Sequence, residues 1–303
     1  MTADPVTSAT TDLDYGIPPT GHRLPAATRL GRVRLQVADL ERSLGYYQEI
    51  LGFRVLERSE GRAALSVQGD DTPLIELHEL AGAAPVPRQG RLGLYHFAIL
   101  LPDRAALGRF VAHLAEIGAR TGASDHLVSE ALYLTDPDGL GIEVYADRPR
   151  AAWRHDGRQL RMDTEPLDLQ DLVRAAGGQP WTGMPAGTVI GHVHLHVGSI
   201  PEADAFFHQA LGLDRMVWSY PGALFLAAGG YHHHLGVNTW AGPGAPRPRE
   251  GDARLLEWEI VVPRPEDAEA AARSLQAAGY ETGLDAGSWK ALDPWGTALR
   301  LRS

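Results

Sequence analysis

Cysteine is absent from this 303-residue chain. That excludes disulfides, thiolate zinc sites, iron–sulfur clusters and a cysteine nucleophile. Any metal must be held by imidazole and carboxylate, and 13 histidines supply the first of these. Apolar runs of about 18 residues, the length a membrane-spanning helix needs, are also missing. The first 20 residues are polar and rich in Thr, Ala and Pro, without the basic-then-apolar order of a secretory signal. A soluble, cytoplasmic protein with no membrane partner is expected. Positive charge is scarce as well: 28 Lys and Arg stand against 38 Asp and Glu, for a net charge of −10. Binding phosphates needs clustered cations, so nucleic acid is excluded as a main partner.

What the chain does have is an internal repeat. "GRVRLQVADLERSLGYYQEILGFRV" (Gly31 to Val55) matches "GHVHLHVGSIPEADAFFHQALGLDRM" (Gly191 to Met216) in order: an alternating strand, a polar helix start, an amphipathic helix, and a glycine stop. Two further copies, "LYHFAILLPDRAALGRFVAHLAEIGA" (Leu94 to Ala119) and "LEWEIVVPRPEDAEAAARSLQAAGYE" (Leu256 to Glu281), share the plan and end on "DPDGLGIEVY" and "DPWGTALRLR". Short β-rich runs with Gly or Asp-Gly turns follow each helix. Each unit is therefore βαβββ, and the units fall at 29–86, 92–148, 188–241 and 253–303. Residues 1–28 read as a flexible arm, 149–187 as a surface connector with a short helix at Leu167 to Ala176. The first pair of units would occupy 29–148 and the second pair 188–303.

Four βαβββ units in about 300 residues resemble the vicinal oxygen chelate superfamily, which includes glyoxalases, bleomycin and fosfomycin resistance proteins and extradiol ring-cleaving dioxygenases. The resemblance covers nearly all of the chain outside the arm and connector. It implies an α+β fold in which the units pair into two curled mixed β-sheets, with a metal on a concave face. In that family the ligands come from the first strands of two units and from a last strand.

Equivalent positions can be compared across the repeats. At the start of the first strands stand Arg32, His96, His192 and Glu257; near the end of the last strands, Glu143 in unit two faces Arg300 in unit four. Unit one offers only "LIELHEL", with Glu76 and His78. Arginine does not lose its proton and cannot ligate a cation. Units one and four thus look metal-free, whereas units two and three supply His96, Glu143 and His192. Two imidazoles and one carboxylate form the facial triad of non-heme Fe(II) oxygenases; Mn(II) accepts the same ligands. This requires units two and three to share the active cup, a departure from the commoner extradiol order.

A denser motif points the same way. "HLVSEALYLTDPDGLGIE", from His126 through Tyr133 to Glu143, is similar to the extradiol signature that ends on its metal-binding Glu, with Ser124 as a departure before the His. "GGYHHHLGVNTW" resembles the segment that carries the acid–base histidine; its register selects His233, then His234, then His232, because a bulge could change the facing. The resemblance implies an oxidoreductase of the catechol 2,3-dioxygenase type in aromatic catabolism. Its substrates would be a small aromatic diol and O2, its product a 2-hydroxymuconic semialdehyde. His233 would serve as acid–base and Tyr133 and His126 as hydrogen-bonding partners of the diol. A glyoxalase-like isomerase or thiol transferase and a metal-free drug-binding protein are the competing readings. His194 and His196 read as neighbours on a polar face, not ligands. Trp240, Trp258, Trp289 and Trp295 read as core or interface residues. Units one and four offer a structural or assembly surface, and a homo-oligomer is expected.

Overall fold

The structure, a computed structural model, describes residues 15–87 and 90–303. Each unit opens on a lead strand: Arg29–Val37, Gly93–Leu100, Val189–His196 or Arg254–Val261. A helix follows each. In three units an Asp39, Asp103 or Ser199 side chain accepts an amide proton from the first turn, satisfying a donor that the helix itself leaves open. In the fourth, Pro265 starts the helix, where its missing N–H costs nothing. The helices of units one and three widen in their last turns, Tyr46–Ile50 and Asp204–Ala210. Gly52 and Gly212 then turn the chain in the left-handed region that favours glycine.

Two eight-stranded sheets result, and each draws on both halves of the chain. One runs Asp214–Val217, Ala223–Ala227, Leu235–Asn238, Val189–His196, Gly93–Leu100, Gly141–Asp147, Ser129–Thr135, Gly122–Asp125. The other runs Thr282–Asp285, Ser288–Leu292, Ala298–Arg302, Arg254–Val261, Arg29–Val37, Ile75–Glu79, Arg62–Ser66, Arg54–Ser59. Within each sheet the two lead strands pair antiparallel, and each lead strand pairs parallel with the last strand of its own unit. Neither 29–148 nor 188–303 builds a sheet of its own: units two and three share one sheet and units one and four the other. Each sheet takes four strands from either half of the chain.

Alternation along the lead strands separates core from cup. Phe97 and Ile99 join the apolar core with Leu107 and Phe110, while His96 and Ala98 turn the other way. In the sheet of units one and four, the equivalent inner face is a lattice of ion pairs. Arg32 and Arg302 each donate Nε to Glu259 at 2.8 Å, Arg300 grips Glu257 through Nε and Nη2, and Glu76 takes both Arg32 and Arg34. Burial would raise the Glu76 pKa, but His78 and the two guanidiniums bring it down to about 2. Guanidinium groups fill the place a cation would occupy.

The segment before the first unit is not a loose arm over its described part. Ile17 bridges to Arg215, Leu24 is buried, and Arg23 holds Asp214 with two hydrogen bonds of 2.8 and 2.7 Å. Backbone pairing and a bidentate ion pair fix residues 15–28 against unit three, a partner that sequence periodicity does not reveal; residues 1–14 lie outside the described residues. The connector carries a two-stranded hairpin (His155–Asp156 and Gln159–Leu160) and the helix Leu169–Ala175. Between them, Asp125 and Glu165 exchange backbone hydrogen bonds of 2.9 Å, which lays Met162–Thr164 over the rim of the first sheet. No helix among the described residues is long and apolar enough to cross a membrane.

Glu259 is 1% exposed and holds two guanidiniums. Its replacement by Ala is expected to lower unfolding free energy by about 2–3 kcal/mol, below the range for a fully buried pair because both arginines reach water. Urea unfolding of Glu259→Ala against the parent checks this.

Candidate metal centre

Strand register assembles the site. His192 stands opposite Ala98, Ala98 opposite Glu143, and Glu143 opposite Tyr133, so four strands place these residues in one row. His96 lies two residues from Ala98 on the same face. The row's centre is Ala98, whose single methyl leaves room between the flanking side chains. Irregular pairing beside Gly191 admits a second close approach. A Cβ there would lie 1.9 Å from the Tyr145 hydroxyl, so any side chain would push Tyr145 away.

The result is a convergent donor set. His96 Nε2 and His192 Nε2 are 3.3 Å apart, and Glu143 Oε2 lies 3.0 and 3.1 Å from them. All three side chains are buried, and their ligand atoms fall within 4.8 Å of one another. Burial pulls the His192 pKa down to about 4, although Glu143 acts the other way. Burial would raise Glu143, yet His192 and His96 hold it well below the usual carboxylate range. A neutral imidazole and an ionised carboxylate are the forms that bind a divalent cation. Nitrogen and oxygen donors in a two-His, one-carboxylate set fit iron or manganese.

The cup above this floor has a volume of about 250 Å³. On one side His126 donates Nδ1–H to the Asp163 carbonyl at 2.8 Å. Its Nε2 therefore carries a lone pair and accepts from the Tyr133 hydroxyl at 2.5 Å. Burial and the Glu143 charge push the Tyr133 phenol well above its ordinary value. On the other side stands His233, 6% exposed, with its ring 4.0 Å from that of His192. Burial and the neighbouring His192 lower its pKa, so it rests neutral. Of the three consecutive histidines, His233 lines the cup. His232 is wholly buried against Asp147, and His234 accepts the Ala228 amide through Nδ1 at 3.2 Å.

His194 and His196 have other partners. Asn238 donates to His194 Nε2 at 2.9 Å and accepts from His196 Nδ1 at 2.6 Å. His194 still edges the cup, packed against Tyr95 and Trp240. Beside it Gly236 occupies the position that in unit two is Glu143: Gly236 pairs with His194 as Glu143 pairs with Ala98. A Cβ on Gly236 would strike the His194 ring at 2.8 Å. A second carboxylate is thus absent where two-fold symmetry would put one.

Trp240 is not a core residue, which corrects its reading from sequence. It is 44% exposed and lines the mouth of the cup with Tyr95, Tyr220 and Phe225. Trp258 and Trp295 are buried, as core residues should be. The sequence reading passed over Tyr95, Tyr220, Phe225 and Met162, which wall the cup. It also passed over Asp147, two positions beyond Tyr145 and four beyond Glu143. Period-two counting from Glu143 would have placed Asp147 on the same face.

The match to the Glyoxalase/Bleomycin resistance protein/Dioxygenase superfamily model covers residues 29–144. A catechol-2,3-dioxygenase from Bacillus subtilis (strain 168) is 44% identical over 270 residues, 88% of this chain and 94% of that protein. Among solved structures, a putative dioxygenase from Bacillus subtilis superposes with a TM-score of 0.65 at 13% identity, covering 92% of this chain and 86% of the other. Glyoxalase I from Zea mays superposes with a TM-score of 0.53 at 19% identity over 91% and 92% of the two chains. These last two likenesses concern the fold. The repeat architecture, the metal-ready triad and the extent of the first match together place the chain as a member of the glyoxalase/bleomycin resistance/dioxygenase superfamily.

Proposed function

We propose that the chain is an extradiol ring-cleaving dioxygenase that uses Fe(II) held by His96, His192 and Glu143 to open catechol or a neutral substituted catechol with O2. The observation that carries this is the meeting of His96 Nε2, His192 Nε2 and Glu143 Oε2 within 3.0–3.3 Å of one another at the floor of an aromatic cup. The 44% identity to a catechol-2,3-dioxygenase supports the same reading. Gly236, standing where a second carboxylate would be, weighs against glyoxalase-type chemistry.

Bound iron supplies Lewis acidity toward two adjacent ring oxygens and one-electron chemistry with O2. The protein supplies the rest. His233, neutral and on one wall, takes a proton from the diol and returns it later in the cycle; an imidazole serves in both directions. Tyr133 and His126, on the opposite wall, hydrogen-bond to the oxygens of the substrate and of its ring-opened product. The aromatic side chains at the mouth and the connector residues Met162–Thr164 hold the ring flat and exclude water.

No Lys or Arg lines the cup among the described residues. A carboxylate on the substrate ring would enter a buried, aromatic site without a counter-charge. Turnover of 4-methylcatechol should therefore exceed that of 3,4-dihydroxybenzoate by at least about a hundredfold in kcat/KM, a gap of about 2.7 kcal/mol, measured by O2 uptake. Comparable rates would contradict this account of selectivity.

His192→Ala and Glu143→Ala are each expected to lose iron by elemental analysis and to abolish catechol-dependent O2 uptake and the yellow ring-fission product. Iron-loaded parent protein that consumes no O2 with any of a panel of catechols would overturn the assignment. His233→Gln should keep its iron and lose about 10²- to 10⁴-fold in kcat.

A further inference from the structure

Three side chains outside the metal centre form a line that ends in the cup. Asp147 Oδ1 lies 2.9 Å from His232 Nε2, and His232 Nδ1 lies 2.7 Å from His233 Nδ1. His232 is fully buried and does not reach the cup, whereas His233 does. Tyr231 also donates to Asp147 Oδ1 at 3.2 Å, and its hydroxyl oxygen is 2.7 Å from that of Tyr145. The carboxylate is thereby pinned from a second side.

We propose that Asp147 and His232 are positioning residues that fix the tautomer and the seat of the His233 ring, an inference that rests on His233 being the proton acceptor. A carboxylate only accepts, so His232 Nε2 carries the hydrogen. The Nδ1 of a neutral His232 is then a bare acceptor, and His233 donates to it from its own Nδ1. His233 Nε2 is left without a hydrogen, as the ring's one open acceptor. Without this line either nitrogen of His233 could hold the hydrogen, and half of the arrangements would present an N–H to the diol. A partly exposed carboxylate beside paired imidazoles adds little stability: the Asp147 side chain is 27% exposed, so its pairing with His232 is screened by water. Their chemistry therefore explains them better than packing does.

The test uses full-length, Fe(II)-loaded protein and reads iron content, KM for catechol and kcat. Asp147→Ala and His232→Phe remove the carboxylate and the ring nitrogens respectively. Each should lower kcat about 10- to 100-fold, while iron content is unchanged and KM moves less than about twofold. His232→Asn keeps an acceptor close to the Nδ1 position and should recover most of the lost kcat. A His232→Asn variant as slow as His232→Phe would overturn the proposal, since packing would then account for both losses. Wild-type kcat in Asp147→Ala and His232→Phe, with His233→Gln impaired, would overturn it while leaving the role of His233 intact. Wild-type kcat in His233→Gln would instead remove the acid–base assignment on which it rests. Should His232→Phe fail to fold, Asp147→Ala and His232→Asn decide the matter.

Discussion

A buried carboxylate at the centre of a curled sheet is the constraint from which the rest follows. Glu143 is 2% exposed and lies under two imidazoles. An uncompensated charge there would cost several kcal/mol, so the surrounding structure must supply positive charge. The two sheets meet this demand differently. In the sheet of units one and four, Glu76, Glu257 and Glu259 are compensated by Arg32, Arg34, Arg300 and Arg302. In the sheet of units two and three, among the described residues, the hydrogen-bonding partners of Glu143 are the imidazoles of His96 and His192 and not a guanidinium. One architecture thus yields a saturated salt lattice in one cup and a metal-ready floor in the other. The residue type at the repeat positions decides which.

Space at the floor depends on small residues as much as on the ligands. Ala98 separates His192 from Glu143 in the strand row, Gly191 lets the Tyr145 hydroxyl in, and Gly236 lets the His194 ring lie down. Each is a vacancy that a neighbouring ring fills or borders. The aromatic wall of Tyr95, Tyr220, Phe225 and Trp240 then borders the volume above the floor, where burial makes hydrogen bonds and charge weigh more than they would in open water. Asp138 extends the order outward: it is 1% exposed and ties Arg42 and the Ala38 amide of unit one to the turn before the Glu143 strand. The two sheets are thereby joined near the site.

Much of this was legible in the sequence because repeats compare like with like. Alternation shows which face each lead strand presents, and the pattern Arg32, His96, His192, Glu257 separates the histidine-bearing units from those with arginine or glutamate at that position. Local turn chemistry marked the helix starts at Asp39, Asp103 and Ser199. The connector and the segment 15–28 were misread or left vague because their partners are remote: Arg23 meets Asp214 and Glu165 meets Asp125, pairings that no local pattern encodes. Trp240 was misread because exposure follows from where a loop ends, not from residue type. Asp147 lies four residues beyond Glu143 on the same strand face, but its partner His232 is remote in sequence, so no local pattern marks it.

The pairing of units also bears on how the site comes to exist. His96 and Glu143 sit in the first half of the chain and His192 and His233 in the second, so the three donor atoms meet only once the two halves have paired. The contact between Gly93–Leu100 and Val189–His196 closes a loop of about 90 residues, and that closure carries an entropy cost that local contacts within unit two do not repay. Until Val189–His196 docks, the edge of Gly93–Leu100 and the carboxylate beside it face solvent. The helix Leu169–Ala175 packs on Arg104–Glu116 and ties the connector to unit two. The ion-pair lattice of the other sheet closes a larger loop, from Arg29–Val37 to Arg254–Val261, and Arg32 bonds Glu259 across that seam at 2.8 Å. Charge pairs at that seam discriminate register, since a slip of one residue would turn every arginine and glutamate of a lead strand into the apolar core. The arginine-filled cup is therefore best understood as the device that fixes how the four units interleave, and with it the register that lets His96 meet His192.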